Sequence, residues 1–176
     1  MGAGILPVAL KNGKLYFLFG KENQYADTPG WSDFGGGTDN NEIPLQTAIR
    51  EAQEELTGFL GGEREIRAWM KKGSFKIEFN GYTMFVCPME YNEWLPIYYN
   101  NNQRFLQKRL DPTIIRDSKI FEKSEIKWVC ETELSKLKPQ CRSYFQDTVP
   151  KIVWALPDIR KKLFASSSTK TRKRSR

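Results

Sequence analysis

The sequence predicts an α+β domain in which helices pack on a central sheet, an α/β/α layering rather than a helix bundle. Three observations predict it. Apolar runs of strand length alternate with helix-period segments along the chain. Two Asn-Gly pairs, Asn12-Gly13 and Asn80-Gly81, each stand between apolar runs, the strongest short-range hairpin signal. One segment carries Leu45, Ala48, Ile49, Ala52 and Leu56 as a stripe at helical spacing.

Taken in order, "AGILPVAL" and "KLYFLFGK" are strands joined by the turn at Asn12-Gly13. "NQYADTPG" reads as a loop, and "WSDF" as a short strand running into Gly35, Gly36 and Gly37. The helix follows, with Pro44 suited to its first turn and Gly58 to a left-handed cap at its end. After "EIRAWMKK" come "SFKIEFN" and "YTMFVCPME", a hairpin closed at Asn80-Gly81. Residues 91–119 break this rhythm and read as an irregular insert, with "YNNNQ" a loop and "RFLQKRL" a helical turn or two. "EIKWVCE" resumes as a strand and "TELSKL" as a short helix; residues 141–164 read as helical, broken near Pro150 and Pro157. The expected organisation is one domain over 1–164 and a disordered basic tail over 165–176, which is poor in apolar residues.

Composition narrows the chemistry. Among 176 residues there is no histidine, so His-based zinc sites, Ser-His-Asp triads and Cys-His dyads are excluded. Acid–base work falls to carboxylates, lysines or tyrosines. Three scattered cysteines, Cys87, Cys130 and Cys141, form no C-x-x-C pair, which points to free thiols in a reducing compartment, cytoplasmic or nuclear. No signal peptide is recognisable, and no apolar run approaches membrane length. The net charge of +7 is local: residues 160–176 hold eight basic groups and no acid, leaving the rest near neutral. Overall basicity is therefore weak evidence for nucleic acid. The tail itself reads equally as a nuclear localisation signal, an RNA contact or a solvated segment.

The carboxylates are the feature that asks for chemistry. Glu51, Glu54 and Glu55 fall at i, i+3, i+4 on one helix face, with Glu42 just upstream and Arg50 the one base beside them. Like charges at this spacing repel by about 0.2–0.5 kcal/mol per pair. An isolated E-x-x-E-E is ordinarily a solvated face, and the surrounding residues decide otherwise. Oxygen-only ligands suit a hard divalent cation, Mg²⁺ or Mn²⁺ above zinc. Such an ion serves phosphoryl or pyrophosphate chemistry, and the glycine run lets a phosphate approach the backbone.

Gly36, five residues, Glu42, seven residues, then Arg50-Glu51-Ala52-Gln53-Glu54-Glu55 is similar to the Nudix box, G-x5-E-x7-R-E-U-x-E-E-x-G-U. The resemblance is best over residues 4–60 and departs at Thr57, where the family has Gly, with Gly58 one position later. It implies a Nudix hydrolase: a mixed sheet between helices, with Mg²⁺ or Mn²⁺ driving water attack on a nucleoside-diphosphate-linked substrate. Carried over by position, Glu51, Glu54 and Glu55 would hold the metal with the Gly35 carbonyl. Arg50 would orient the acids, and Glu42 would support the site or touch a metal. A further base is expected before a late strand, Glu122 first and Glu125 second.

For substrate, Trp31 and Phe34, with Tyr82 and Phe85, could stack on a base, although aromatics at strand spacing also read as core. Arg104 and Lys108, with Arg109 and Arg116, could hold distal phosphates or form a solvated helix face. Rival readings are an mRNA-decapping Nudix enzyme on capped RNA, a diphosphoinositol polyphosphate hydrolase, and a silent Nudix ligand-binding module. The sequence leaves the oligomeric state open.

Overall fold

The computed structural model describes residues 1–39, 41–118 and 121–165. Its centre is a mixed seven-stranded sheet. Strands β1 (Gly2–Lys11) and β2 (Lys14–Glu22) form the expected hairpin, with Asn12 and Gly13 at φ 50° and 74°. β3 (Trp31–Ser32) pairs with β2, and β4 (Phe34–Gly37) pairs antiparallel with the start of β1. Helix α1 (Pro44–Glu55) carries the acids, and α2 (Glu63–Lys71) follows it. β5 (Phe75–Phe79) and β6 (Tyr82–Pro88) make the second hairpin, closed at Asn80 and Gly81 with φ 46° and 76°. β6 then runs parallel to β1, which makes the sheet mixed.

Two helices follow, α3 (Trp94–Arg109) and α4 (Pro112–Asp117). β7 (Lys123–Cys130) lies antiparallel to β2. The short α5 (Leu134–Leu137) and the long α6 (Val149–Phe164) complete the described chain. No helix among the described residues is long and apolar enough to cross a membrane. Cys87, Cys130 and Cys141 are buried free thiols.

Alternation along the strands splits the core in two. Ala3 and Ile5 of β1, Leu18 of β2 and Phe85 of β6 face Ala48, Ile49, Ala52 and Leu56 of α1. Leu6, Val8, Phe17 and Val86 face Ile152, Ala155 and Ile159 of α6. The layering is thus α/β/α, and α1 is held against the sheet by the apolar stripe that predicts it.

The insert differs from expectation. Residues 91–118 are largely helical, and "YNNNQ" is the middle of α3 instead of a loop. Asparagine is a poor helix former, but tertiary contacts override the preference. Tyr99 is fully buried, and its hydroxyl donates to the carbonyls of Glu55 (2.8 Å) and Lys123 (3.0 Å). The Asn100 side chain donates to Ile126 O at 3.0 Å and accepts from Ile126 N at 2.8 Å, as a neighbouring strand would. The insert therefore ties β7 to the end of α1.

The C-terminal helix also differs. Pro150 sits in its first turn, where no donor is needed, and Pro157 lies inside it without ending it. The carbonyl that Pro157 leaves without its helical donor belongs to Val153, on the exposed side of α6. The end of α1 carries left-handed backbone at both Thr57 (φ 49°) and Gly58 (φ 76°), so the threonine tolerates a conformation glycine adopts freely. The tail expected over 165–176 lies, from residue 166 on, outside the described residues.

Candidate active site

Three elements meet at the acidic cleft. α1 supplies Glu51 and Glu55, β4 supplies the glycines, and the chain entering β7 supplies Glu122, just before the strand, and Lys123, its first residue. Each of Glu51, Glu55 and Glu122 places a carboxylate oxygen within 4.8 Å of the others. Glu51 and Glu55 are one helical turn apart, so α1 presents them side by side. Glycine is required opposite them: a Cβ at Gly36 would lie 2.7 Å from the Glu51 carboxylate, and one at Gly35 2.1 Å from the Tyr82 hydroxyl. The cleft, about 400 Å³, is also lined by Glu22, Arg116 and Arg142.

Arg50 organises the acids along one flank. Its Nε donates to Glu42 Oε1 at 2.9 Å, its Nη2 to Glu42 Oε2 at 3.0 Å, and its Nη1 to Glu51 Oε1 at 2.7 Å. Nη2 also donates to the Gly37 carbonyl at 3.0 Å, pinning β4 to the helix. Glu42 accepts further from Thr47 Oγ1 at 2.9 Å and Asp39 N at 3.2 Å. The Arg50 hydrogen bonds hold the Glu42 carboxyl down at about 2, and Glu42 in turn raises Arg50. Both Glu42 oxygens are committed to this clamp. Glu54, with Oε2 3.6 Å from Arg50 Nη1, stands on the same flank and outside the three-carboxylate group.

A buried cation faces the group from the other side. Lys123 has no solvent exposure; its Nζ contacts Glu22 Oε1, lies 3.1 Å from Glu55 Oε1 and donates to Ser32 Oγ at 3.0 Å. Burial works against the ammonium, but Glu55 and Glu22 outweigh it and hold Lys123 protonated well above the usual lysine range. Arg142 joins the network, Nη1 donating to Glu22 Oε1 at 2.8 Å. Burial pushes the Glu55 carboxyl up, against the pull of Lys123. Behind the glycine strand, Asp33 is fully buried and accepts from the Tyr82 hydroxyl at 3.0 Å. Burial raises its carboxyl to about 6, with Tyr82 and Lys123 opposing.

The residues fit a hard divalent cation. Glu55 Oε2 is buried without a hydrogen-bond partner, while Oε1 of the same carboxylate faces Lys123. An orphan carboxylate oxygen beside the Glu51 carboxylate offers the oxygen donors such an ion takes.

The other expected positions divide. Glu125 lies away from the group, 3.7 Å from Lys21. Trp31 and Phe34 are buried in the two cores, Trp31 beneath the Lys127 ammonium at 3.9 Å, and the structure does not bring them to the cleft. Arg104 is turned back on α3, bonding Asn100 O and Asn101 Oδ1, and neither it nor Lys108 lines the cleft. Arg116, of the same expected set, does.

No family model matches the chain. Over 58 residues it is 46% identical to "Uncharacterized protein L534" of Acanthamoeba polyphaga mimivirus, a match covering 31% of this chain and 19% of that protein. This chain therefore spans about a fifth of that relative's length. In three dimensions it is similar to RenU, a Nudix hydrolase from M. smegmatis: TM-score 0.54, 16% identity, 90% of this chain and 86% of that one. It is also similar to a C. elegans Ap4A hydrolase in a binary complex: TM-score 0.52, 16% identity, covering 89% and 97%. The fold is that of the Nudix hydrolases.

Within the Nudix fold of this chain, the box helix is α1. Sequence reasoning had no signal for Lys123, Glu22 or Arg142, whose roles depend on pairings up to 120 residues apart.

Proposed function

We propose that the chain is a metal-dependent hydrolase that cleaves the pyrophosphate bond of a nucleoside-diphosphate-linked substrate. The observation that carries this reading is the convergence of Glu51, Glu55 and Glu122 on one point of a cleft that also holds Arg116 and Arg142. Carboxylates alone would repel a diphosphate, so the cleft needs a cation, and the orphan Glu55 oxygen supports one.

Glu51 and Glu55 would hold Mg²⁺ or Mn²⁺, aided by the Gly35 carbonyl and by Glu54 at the edge. When bound, such an ion supplies charge neutralisation and Lewis-acid polarisation of phosphoryl oxygens. Arg50 and Glu42 act together to keep Glu51 and the glycine strand in register. Lys123 holds Glu55 in one orientation by occupying its other oxygen. Arg116 and Arg142 have the charge to orient the diphosphate. Glu122 is assigned as general base: a water attacks phosphorus, its proton passes to Glu122, and the bond to the bridging oxygen breaks, leaving two phosphate-bearing products.

The test is turnover of a panel with Mg²⁺ and Mn²⁺: a dinucleoside tetraphosphate, ADP-ribose, a capped RNA and a diphosphoinositol polyphosphate. Cleavage of a nucleoside diphosphate derivative supports the reading. Preferential cleavage of capped RNA or of the inositol compound would select those rivals. Binding without turnover would make the chain a ligand-binding module.

A further inference from the structure

Strand β5 (Phe75–Phe79) ends the sheet on the β6 side, and among the described residues no strand pairs with its outer edge. Its register is fixed by the two-residue turn at Asn80-Gly81, which makes Phe79 and Tyr82 the closing hydrogen-bonded pair. By alternation, Phe75, Ile77 and Phe79 direct their backbone groups to β6, and Lys76 and Glu78 direct theirs outward. The side chains alternate too. Ile77 is buried, Phe75 and Phe79 pack on the core beneath α6, and Lys76 and Glu78 are exposed on the opposite face.

A free edge is a template for another strand, and chains commonly blunt it with charge. The charges here discriminate between partners. In "FKIEF" a lysine and a glutamate stand symmetrically about Ile77. Antiparallel pairing of two copies about a two-fold axis at Ile77 sets Lys76 opposite the partner's Glu78, and Glu78 opposite the partner's Lys76. Those are the residues whose backbone groups point outward, so the same register joins the backbones and pairs the charges. A slip of two residues in either direction sets lysine against lysine or glutamate against glutamate. Beside the edge, a groove of about 550 Å³ runs between β5 and α6, lined by Pro150, Lys151 and Trp154. Trp154 is 82% exposed, unusual for a tryptophan on a helix that is otherwise well packed.

We propose that two copies of this chain associate through β5, antiparallel about a two-fold axis at Ile77, extending one sheet into the other with Trp154 covering the junction. The interface is isologous, so one surface serves both partners. It lies on a different strand from the acidic cleft and stands independently of the hydrolase reading.

Charge reversal tests it with two variants on exposed positions, their folds checked by circular dichroism. Light scattering over a concentration series should show wild type moving from one chain mass to twice that mass. Lys76→Glu and Glu78→Lys each place like charges opposite one another, and each should raise the dissociation constant on the order of tenfold or more. Mixed together, these two variants become complementary and should form the heterodimer. The double exchange Lys76→Glu/Glu78→Lys should restore self-association. A wild-type chain that stays monomeric throughout the series overturns the proposal. So does a dimer whose affinity neither reversal changes, or one that the double exchange fails to restore.

Discussion

Lys123 Nζ lies 3.1 Å from Glu55 Oε1, and both side chains are closed to solvent. A buried pair of this kind is costly to break from one side, because the surviving charge is left without compensation. Lys123→Met would strand Glu55 and leave Glu22 with Arg142 alone, and should lower stability by about 3–5 kcal/mol in urea unfolding. Added Mn²⁺ should recover part of that loss, since a cation beside Glu55 can replace the missing positive charge. Unchanged unfolding in the variant would show that the pair contributes nothing to the fold.

Glu122 and Glu125 separate cleanly by position, one in the carboxylate group and the other beside Lys21 on the surface. Glu122→Gln should depress kcat by about a hundredfold or more while Mn²⁺ affinity stays near wild type. Glu125→Gln should leave turnover within about twofold, as removal of an exposed ion pair does little. A parallel fall in Mn²⁺ affinity for Glu122→Gln would make that residue a ligand. A crippled Glu125→Gln would move the base to the surface strand.

Asp33 makes stability depend on pH in a defined direction. Burial pushes its carboxyl up to about 6 in the folded chain, against 3.8 for an ordinary aspartate. Between these values the folded state binds more protons than the unfolded one, so stability falls as pH rises through that window. Asp33→Asn keeps an acceptor for Tyr82 and removes the buried charge. It should therefore stabilise the protein by about 2–3 kcal/mol at pH 7.5 and make no difference at pH 3. Unfolding curves for the two proteins that remain parallel across this range would contradict the assignment.

What could be read from the sequence was local. The two Asn-Gly hairpins, the apolar stripe of α1 and the i, i+3, i+4 acids are all patterns within one element, and the structure contains them. Within the box, Glu54 and Glu55 looked equivalent; only the packing of α1 on β4 turns Glu55 inward and leaves Glu54 with Arg50. Lys123 sits in "FEKSEIKW", a stretch with the look of a charged strand, and nothing nearby announces that it is buried. Its environment is made by β2 pairing with β7 and by Glu55 of α1 reaching its ammonium. The same holds for "YNNNQ", where Asn100 is helical because it serves as a partner for Ile126. Tertiary pairing decided both residues, and pairing is not a property of short windows.

In the proposed reaction, water attacks a diphosphate in the cleft whose cation Glu51 and Glu55 would hold. The most direct measurement is hydrolysis of a dinucleoside tetraphosphate in ¹⁸O-labelled water with Mn²⁺, with the products analysed by mass spectrometry for wild type and Glu55→Gln. The expected result is one ¹⁸O atom on a phosphoryl group of the wild-type products, complete loss of cleavage on chelating the metal, and a fall of about a hundredfold or more in Glu55→Gln. Cleavage that survives chelation, or that runs at the wild-type rate in Glu55→Gln, would contradict it.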